Sequence, residues 1–358
     1  MAIDKSIPFV GFHTRFAFHE AVDALLELID QGLAPMGINN LILEFNPGYA
    51  YRCFPQYSTG TVTYEDCERI REFCKARGIR VIPLFQCLSH QADHMSNTPS
   101  GAWPLLDQNP QFMETPDVPG DATWPQFYTH SWCASNDDIY EYIFPMMDEL
   151  IEVFEADVMH IGIDEVFDIG EDSCPRCKGK NKAELLARTV KILHDHLAEK
   201  GVETMMWGDR LLNAEKLGYQ MWEADKFGMW PAFDMEDQVT RDIIITDWHY
   251  DLHDHGYPSI GQFMEAGFNV IPSLGGNEKQ AAHFWHYALE YLYLGNKFGW
   301  KGKMLGLLFT QWRPMTVEIA QEILAGIRLE REFDPESRGD VGRTIGKIAP
   351  VGRHLRVR

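Results

Sequence analysis

No apolar run in this chain approaches the roughly 20 residues that a membrane-spanning helix needs. Its first residues, Met-Ala-Ile-Asp-Lys-Ser-Ile-Pro, lack the basic-then-apolar order of a signal peptide. Positive charge is scarce: 32 Lys and Arg stand against 53 Asp and Glu, a net charge of −21. Nucleic acid and anionic membrane both require a basic face, so neither is an expected partner. Cysteine is sparse as well, with seven residues scattered over 358, an odd number that does not read as a disulfide framework. These absences favour a reducing, cytoplasmic setting and leave the oligomeric state open, a homodimer included.

What the chain does have is a repeated strand-helix alternation. Ile7 to Phe12 reads as an apolar strand, and His19 to Gln31 follows with helical periodicity closed by Gly32. Ile38 to Phe45 and Ile79 to Phe85 are the next two strands, with the helix Tyr64 to Arg77 between them. A long segment from 86 to 136, rich in Pro, Trp, Asp and Ser, then interrupts the pattern; a loop of that length in a compact fold is usually functional or disordered, and its aromatic content favours function. The alternation resumes with the helix Asp137 to Phe154, strand Asp157 to Ile163, helix Asn181 to Lys200 and strand Glu203 to Trp207. Beyond a less legible stretch at 210 to 240 come strand Asp242 to Trp248, helix Ile260 to Ala266, strand Phe268 to Ser273, helix Glu278 to Leu294, strand Met304 to Thr310 and helix Val317 to Glu330. About eight such units in one chain predict a single-domain (β/α)₈ TIM barrel over residues 1–333, with 334–358 an aperiodic C-terminal tail.

The stretch that gives this barrel its chemistry is Val158-Met-His-Ile-Gly-Ile-Asp-Glu-Val166, an apolar run that ends on two adjacent acids, Asp164 and Glu165. Charged residues are rarely buried without a partner, and the carboxyl ends of barrel strands are where barrel enzymes keep their active sites. The other strand ends carry Arg15, Glu44, His90 just past the third strand, Trp207 with Asp209, Trp248 with Tyr250, and Trp312 with Arg313. Carboxylates, polar anchors and tryptophans sharing one pocket suit a sugar, whose apolar faces pack on indole rings while its hydroxyls need polar partners.

These residues resemble the family 20 glycoside hydrolases, which contain the β-N-acetylhexosaminidases. His160-Ile-Gly-Ile-Asp164-Glu165-Val166 is close to that family's His-x-Gly-Gly-Asp-Glu-Val, with Ile163 in place of the second glycine. Arg77-Gly78-Ile-x-Val-Ile-Pro83, followed by Ser89-His90, is similar to its helix, strand and Gly-His loop. The resemblance implies a retaining mechanism in which the substrate's own 2-acetamido oxygen is the nucleophile, an exception to the two-carboxylate scheme. It implies that Glu165 is the general acid and base, that Asp164 orients the acetamido N–H, that Arg15 grips sugar hydroxyls and that His90 supports the catalytic Glu. It assigns Trp207, Trp248 and Trp312 to the acetamido pocket and the platform under the sugar. The substrate it implies is a small carbohydrate bearing a 2-acetamido sugar. The family's Tyr-x-Asp after strand seven and Trp-x-Glu after strand eight are missing, since Ser273-Leu-Gly-Gly-Asn277 and Trp312-Arg313-Pro314 stand there. Its Asp after strand two is replaced by Phe45-Asn46-Pro47; Tyr250, Glu44 and Asp209 are candidate substitutes for the missing groups.

Two other readings remain. A metal-dependent hydrolase could be built on His249, His253 and His255, although it leaves Asp164, Glu165 and the tryptophans without a role. A non-catalytic sugar-binding barrel would keep the tryptophans and Arg15. Cys174-Pro-Arg-Cys177 is half of a zinc ligand set. Spacing names no second half, with Cys133 and several histidines able to complete it only if the fold brings them there. No metal or cofactor is therefore expected, and the cysteine pair reads as a turn staple or as plain thiols.

Overall fold

The computed structural model describes residues 8–92, 102–116, 130–225, 240–330 and 339–352. The expected segments at 86–136, 210–240 and 334–358 lie partly outside the described residues. Eight parallel strands close into a barrel in chain order: β1 Phe9–Arg15, β2 Asn40–Glu44, β3 Arg80–Cys87, β4 Val158–Gly162, β5 Glu203–Trp207, β6 Ile244–Trp248, β7 Asn269–Leu274 and β8 Gly306–Gln311. The outer layer contains α1 Val22–Leu28, α2 Tyr64–Lys75, α3 Tyr140–Phe154, α4 Lys182–Glu199, α5 Ser259–Glu265, α6 Glu278–Phe298, α7 Val317–Ile327 and α8 Val341–Gly352. The chain is thus a (β/α)₈ barrel. No helix among the described residues is long and apolar enough to cross a membrane.

Period-two alternation sorts the strand residues into two cores. Ile42, Val158, Met205, Trp207, Ile244 and Leu308 belong to the barrel interior, while their neighbours Leu41, Leu43, Met159, Met206 and Ile245 pack outward under the helices. Helix starts follow capping chemistry. Thr63 and Asp66 form a reciprocal capping box at α2, and Asn181, Asn277 and Thr316 accept backbone N–H groups at α4, α6 and α7.

Three boundaries differ from the expectation. β1 continues past Phe12 to Arg15 because the parallel ladder to β2 persists to the pair Arg15 and Glu44, which brings both charged groups to one strand end. Gly32 does not stop the first helix; the chain winds on through a wide turn at Ile29–Leu33 and reverses at Gly37, where φ is 84°. Gly32 is instead a packing residue, since a Cβ there would stand 3.0 Å from Ile327 and 3.1 Å from Leu324. The stretch read as an aperiodic tail contains α8, which lies close against α7: Cβ atoms at Gly342 and Gly346 would sit 2.2 and 2.6 Å from the carbonyl oxygens of Ile323 and Ile327. Glycines and Pro350 weaken its helical signature, and contact with α7 makes the helix.

Candidate active site

Adjacent residues on an extended strand point to opposite faces, so Asp164 and Glu165 can share one cavity only if the chain leaves the strand conformation. It does so at once: φ is 68° at Gly162, 69° at Ile163 and 48° at Glu165. A left-handed β-branched residue is a genuine outlier, and such positions cost on the order of 1–3 kcal/mol each. His160 helps hold the turn from inside the barrel. Its Nδ1 accepts the Gly162 N–H at 3.0 Å, which assigns the ring proton to Nε2, and that nitrogen meets Thr246 Oγ1 at 2.8 Å. Thr246 in turn donates to the Met206 carbonyl at 2.8 Å, so the chain of donors is complete. Complete burial, with His13 as a second cause, holds the imidazole well below its usual range, so it is a neutral structural residue.

Gly162 is required for a further reason. A Cβ at this position would lie 2.1 Å from Gln86 Oε1, and the amide nitrogen of that same Gln86 donates to Asp164 Oδ1 at 2.7 Å. Gly162→Ala should therefore lower stability by at least about 1–3 kcal/mol through backbone strain and also displace the Asp164 partner. Chemical denaturation measures the first effect and the Michaelis constant the second. A neutral substitution would show that the Gln86 amide has room to move.

His90, itself at φ 55°, faces both acids from the loop after β3, with Nε2 3.4 Å from Asp164 Oδ2 and 3.2 Å from Glu165 Oε2. Burial disfavours a charged ring, but the two facing carboxylates outweigh it and push the imidazole up to about 10. Asp164 shows the complementary effect: burial acts against its carboxylate, and the His90 charge with the bonds from His90 and Gln86 overcomes this and holds it below the usual range. The Ser89 hydroxyl donates to the Asp164 carbonyl at 2.5 Å. Because the His90 value is raised on folding, its contribution to stability is full below the unfolded value near 6.5 and is lost as pH rises through about 10. Melting curves of wild type and His90→Gln from pH 6 to 10.5 should converge as the pH rises; parallel curves would mean that His90 is not charged by the acids.

The cavity at the carboxyl ends of the strands has a volume of 390 Å³ and is lined by Arg15, Glu44, His90, Asp164, Glu165, Trp248, Tyr250 and Trp312. Glu44 meets His13 Nε2 at 3.3 Å and Arg15 Nε at 3.4 Å, orienting the arginine at the cavity rim. The Trp312 indole N–H donates to the Tyr250 hydroxyl at 2.7 Å, and that hydroxyl meets Thr310 Oγ1 at 2.8 Å. Trp248 and Tyr250 stack with ring centroids 5.2 Å apart.

Two of the expected contact residues stand elsewhere. Trp207 is fully buried beneath the cavity, packed on Trp312, His13 and His160, because the inward face of β5 fills the barrel interior. Asp209 is also buried and does not line the cavity. One of its oxygens accepts the Glu165 backbone N–H at 2.9 Å and Arg210 Nε at 2.6 Å, and the other accepts the Trp248 indole N–H at 3.3 Å. Burial pushes this carboxyl up to about 6, with Arg210 acting against the shift. Asp209 therefore positions Glu165 and Trp248 from behind. Asn46, Gln86, Ala92 and Trp222 line the cavity without having been expected there. Gln86 and Asn46 were accessible to the strand-end argument; Trp222 lies in the stretch whose pattern is weak.

The three histidines of the histidine-rich loop do not form one site: His249 and His253 come together with Glu223 as a buried group of donors, and His255 does not join them. Glu223 bridges His249 at 3.2 Å and His253 at 2.8 Å, whereas His255 bonds the Leu217 carbonyl at 2.8 Å. None of these residues lines the cavity that holds the two acids.

The family model for the glycosyl hydrolase family 20 catalytic domain matches residues 40–276. This chain belongs to glycosyl hydrolase family 20. The matched span holds His90, Asp164 and Glu165, whereas Arg15 and Trp312 lie outside it. A beta-hexosaminidase from Emericella nidulans is 23% identical over 235 residues, covering 60% of this chain and 32% of that protein. The chain thus spans about a third of that curated relative. A beta-N-acetylhexosaminidase from Bacteroides fragilis NCTC 9343 superposes with a TM-score of 0.59 at 16% identity, covering 93% of this chain and 68% of the other. A chitobiase from Flavobacterium johnsoniae gives 0.62 at 16% identity, over 97% and 50% of the two chains. At that identity the likeness supports the shared barrel.

Proposed function

We propose that this barrel is a retaining exo-glycosidase that removes terminal β-linked N-acetylhexosamine, GlcNAc or GalNAc, by substrate-assisted catalysis through an oxazolinium intermediate. The observation that carries this reading is the pair Asp164 and Glu165, turned by left-handed backbone toward one imidazole in a cavity walled by Trp248, Tyr250 and Trp312. Two acids on the same side of a sugar suit a substrate that brings its own nucleophile, because neither has to reach the opposite face. In the first step the acetamido oxygen attacks the anomeric carbon while Glu165 gives its proton to the departing glycosidic oxygen. In the second, Glu165 takes a proton from water as the water opens the oxazolinium ring, restoring the starting anomeric configuration. Asp164, held ionised by His90 and Gln86, faces the acetamido N–H and balances the positive charge that develops there. Arg15, oriented by Glu44, is the anchor for outer hydroxyls.

Hydrolysis of an aryl β-N-acetylhexosaminide is the direct test. Wild-type turnover that falls in Glu165→Gln supports the reading. Tight sugar binding without turnover in the wild type would favour a sugar-binding barrel. Trp312→Ala should weaken sugar binding, since the exposed side of its ring is the face available for stacking. An unchanged Michaelis constant would remove Trp312 from the sugar site.

A further inference from the structure

Glu114, Cys133, Cys174 and Cys177, all buried, come together from three chain segments, with one ligand atom of each within 4.8 Å of all the others. Cys133 Sγ lies 3.5 Å from both Cys174 Sγ and Cys177 Sγ. A disulfide needs about 2.05 Å, so these are not bonded pairs. Sulfurs at the corners of a zinc tetrahedron with Zn–S near 2.3 Å stand about 3.8 Å apart, close to the observed separation. The fourth group is the carboxylate of Glu114, which is fully buried. Its Oε1 accepts the Glu171 N–H at 2.8 Å, while Oε2 has no hydrogen-bond partner, a costly state for a buried oxygen unless something is bound there.

We propose that Cys133, Cys174, Cys177 and Glu114 form a structural zinc site. Three soft sulfurs select a thiophilic dication, and four protein donors close the coordination sphere without an open position for water, which marks a structural and not a catalytic site. Polar groups surround the sulfurs. Peptide N–H groups of Arg176 and Cys177 are directed at Cys174, and that of Ser135 at Cys133. The Ser135 hydroxyl oxygen accepts from Cys177 Sγ at 3.3 Å and from Lys180 Nζ at 3.0 Å. Zinc uptake releases the thiol protons to solvent.

The position of the cluster gives it a purpose. Cys133 belongs to the strip that supports the His90 loop, through Trp132 N–H to the Leu88 carbonyl at 2.9 Å and Gln91 N–H to the His130 carbonyl at 3.1 Å. Cys174 and Cys177 belong to the loop that follows the acidic pair, and Asp168 of that loop accepts from the Ser131 hydroxyl at 2.6 Å. A metal here fastens the loop carrying His90 to the loop carrying Asp164 and Glu165, a cross-link independent of what the cavity binds.

Elemental analysis of the purified, dialysed full-length chain tests the assignment. Wild type should carry about one zinc per chain, and Cys174→Ser and Cys177→Ser should lose at least about nine-tenths of it. Glu114→Gln should weaken zinc affinity about tenfold or more. Glu223→Gln, at the other buried cluster of donors, should leave the content unchanged. If the cysteine variants do not fold, cobalt added to metal-free wild type keeps the question open to measurement: intense thiolate-to-cobalt charge transfer is expected on a tetrahedral d–d spectrum. Zinc content near zero with no cobalt spectrum, zinc lost in Glu223→Gln and not in the cysteine variants, or a mass showing an internal disulfide would each overturn the proposal.

Discussion

Glu165→Gln should leave the barrel folded and the sugar bound while lowering turnover by about 10²–10⁴, the range typical of a lost general acid and base. The substitution is nearly isosteric and keeps the backbone N–H to Asp209 at 2.9 Å, while the contact with His90 at 3.2 Å loses its charge. Binding should therefore survive, and the loss should fall on kcat. Its size should depend on the leaving group. A natural disaccharide needs a proton on the departing oxygen, whereas an activated aryl glycoside departs as a stable phenolate. The aryl substrate should consequently lose less in the first step, and intermediate should accumulate because the second step still lacks its base. Equal losses for both substrates would show that Glu165 does not deliver the proton. Asp209→Asn is the companion experiment: the buried carboxylate also anchors Arg210 and Trp248, so a fall in stability together with kcat is expected, in contrast to Glu165→Gln.

The barrel was legible because its strands are apolar on both faces and its helices carry a one-sided stripe, two periods that survive in the bare sequence. Ile42 between Leu41 and Leu43, or Met205 before Met206, cannot be sorted into inner and outer layers until the register is known, but either choice yields a strand. The acidic pair was legible from its place at a strand end. Its geometry was not, because the left-handed turn at Gly162 and Ile163 violates the usual preference of an isoleucine and depends on the His160 and Thr246 bonds inside the barrel. Trp207 and Asp209 illustrate the limit of strand-end reasoning. One residue can separate the cavity from the layer beneath it, and the direction of each side chain is set by tilt and stagger that no periodicity reports. The union of Glu114 and Cys133 with the Cys174 turn was hidden for a different reason: it is a meeting of loops, and loop convergence leaves no spacing rule in the chain.

Substrate assistance makes the most exacting demand on this site, and the expected result is that a 2-hydroxy glucoside is almost inert even where it binds. No carboxylate is assigned to attack the anomeric carbon, so removing the acetamido oxygen removes the nucleophile. Successive fluorination of the N-acetyl group should slow cleavage progressively as that oxygen loses electron density. Asp164→Asn should then lower kcat by about 10²–10³, the cost of losing one preorganised electrostatic group. Asparagine has the same shape, and its oxygen can still accept from Gln86, so the lost quantity is charge. That loss has a second readout in the same variant. The Asp164 carboxylate is the foremost of the groups that raise His90, so its removal should bring the ring down from about 10 toward the ordinary histidine range, which an NMR titration of the imidazole would register. A fall in kcat with no change in the His90 titration would separate the two roles of Asp164. Efficient hydrolysis of plain glucosides, or a glycosyl ester trapped on any carboxylate, would sink the oxazolinium route while leaving the barrel and its family membership in place.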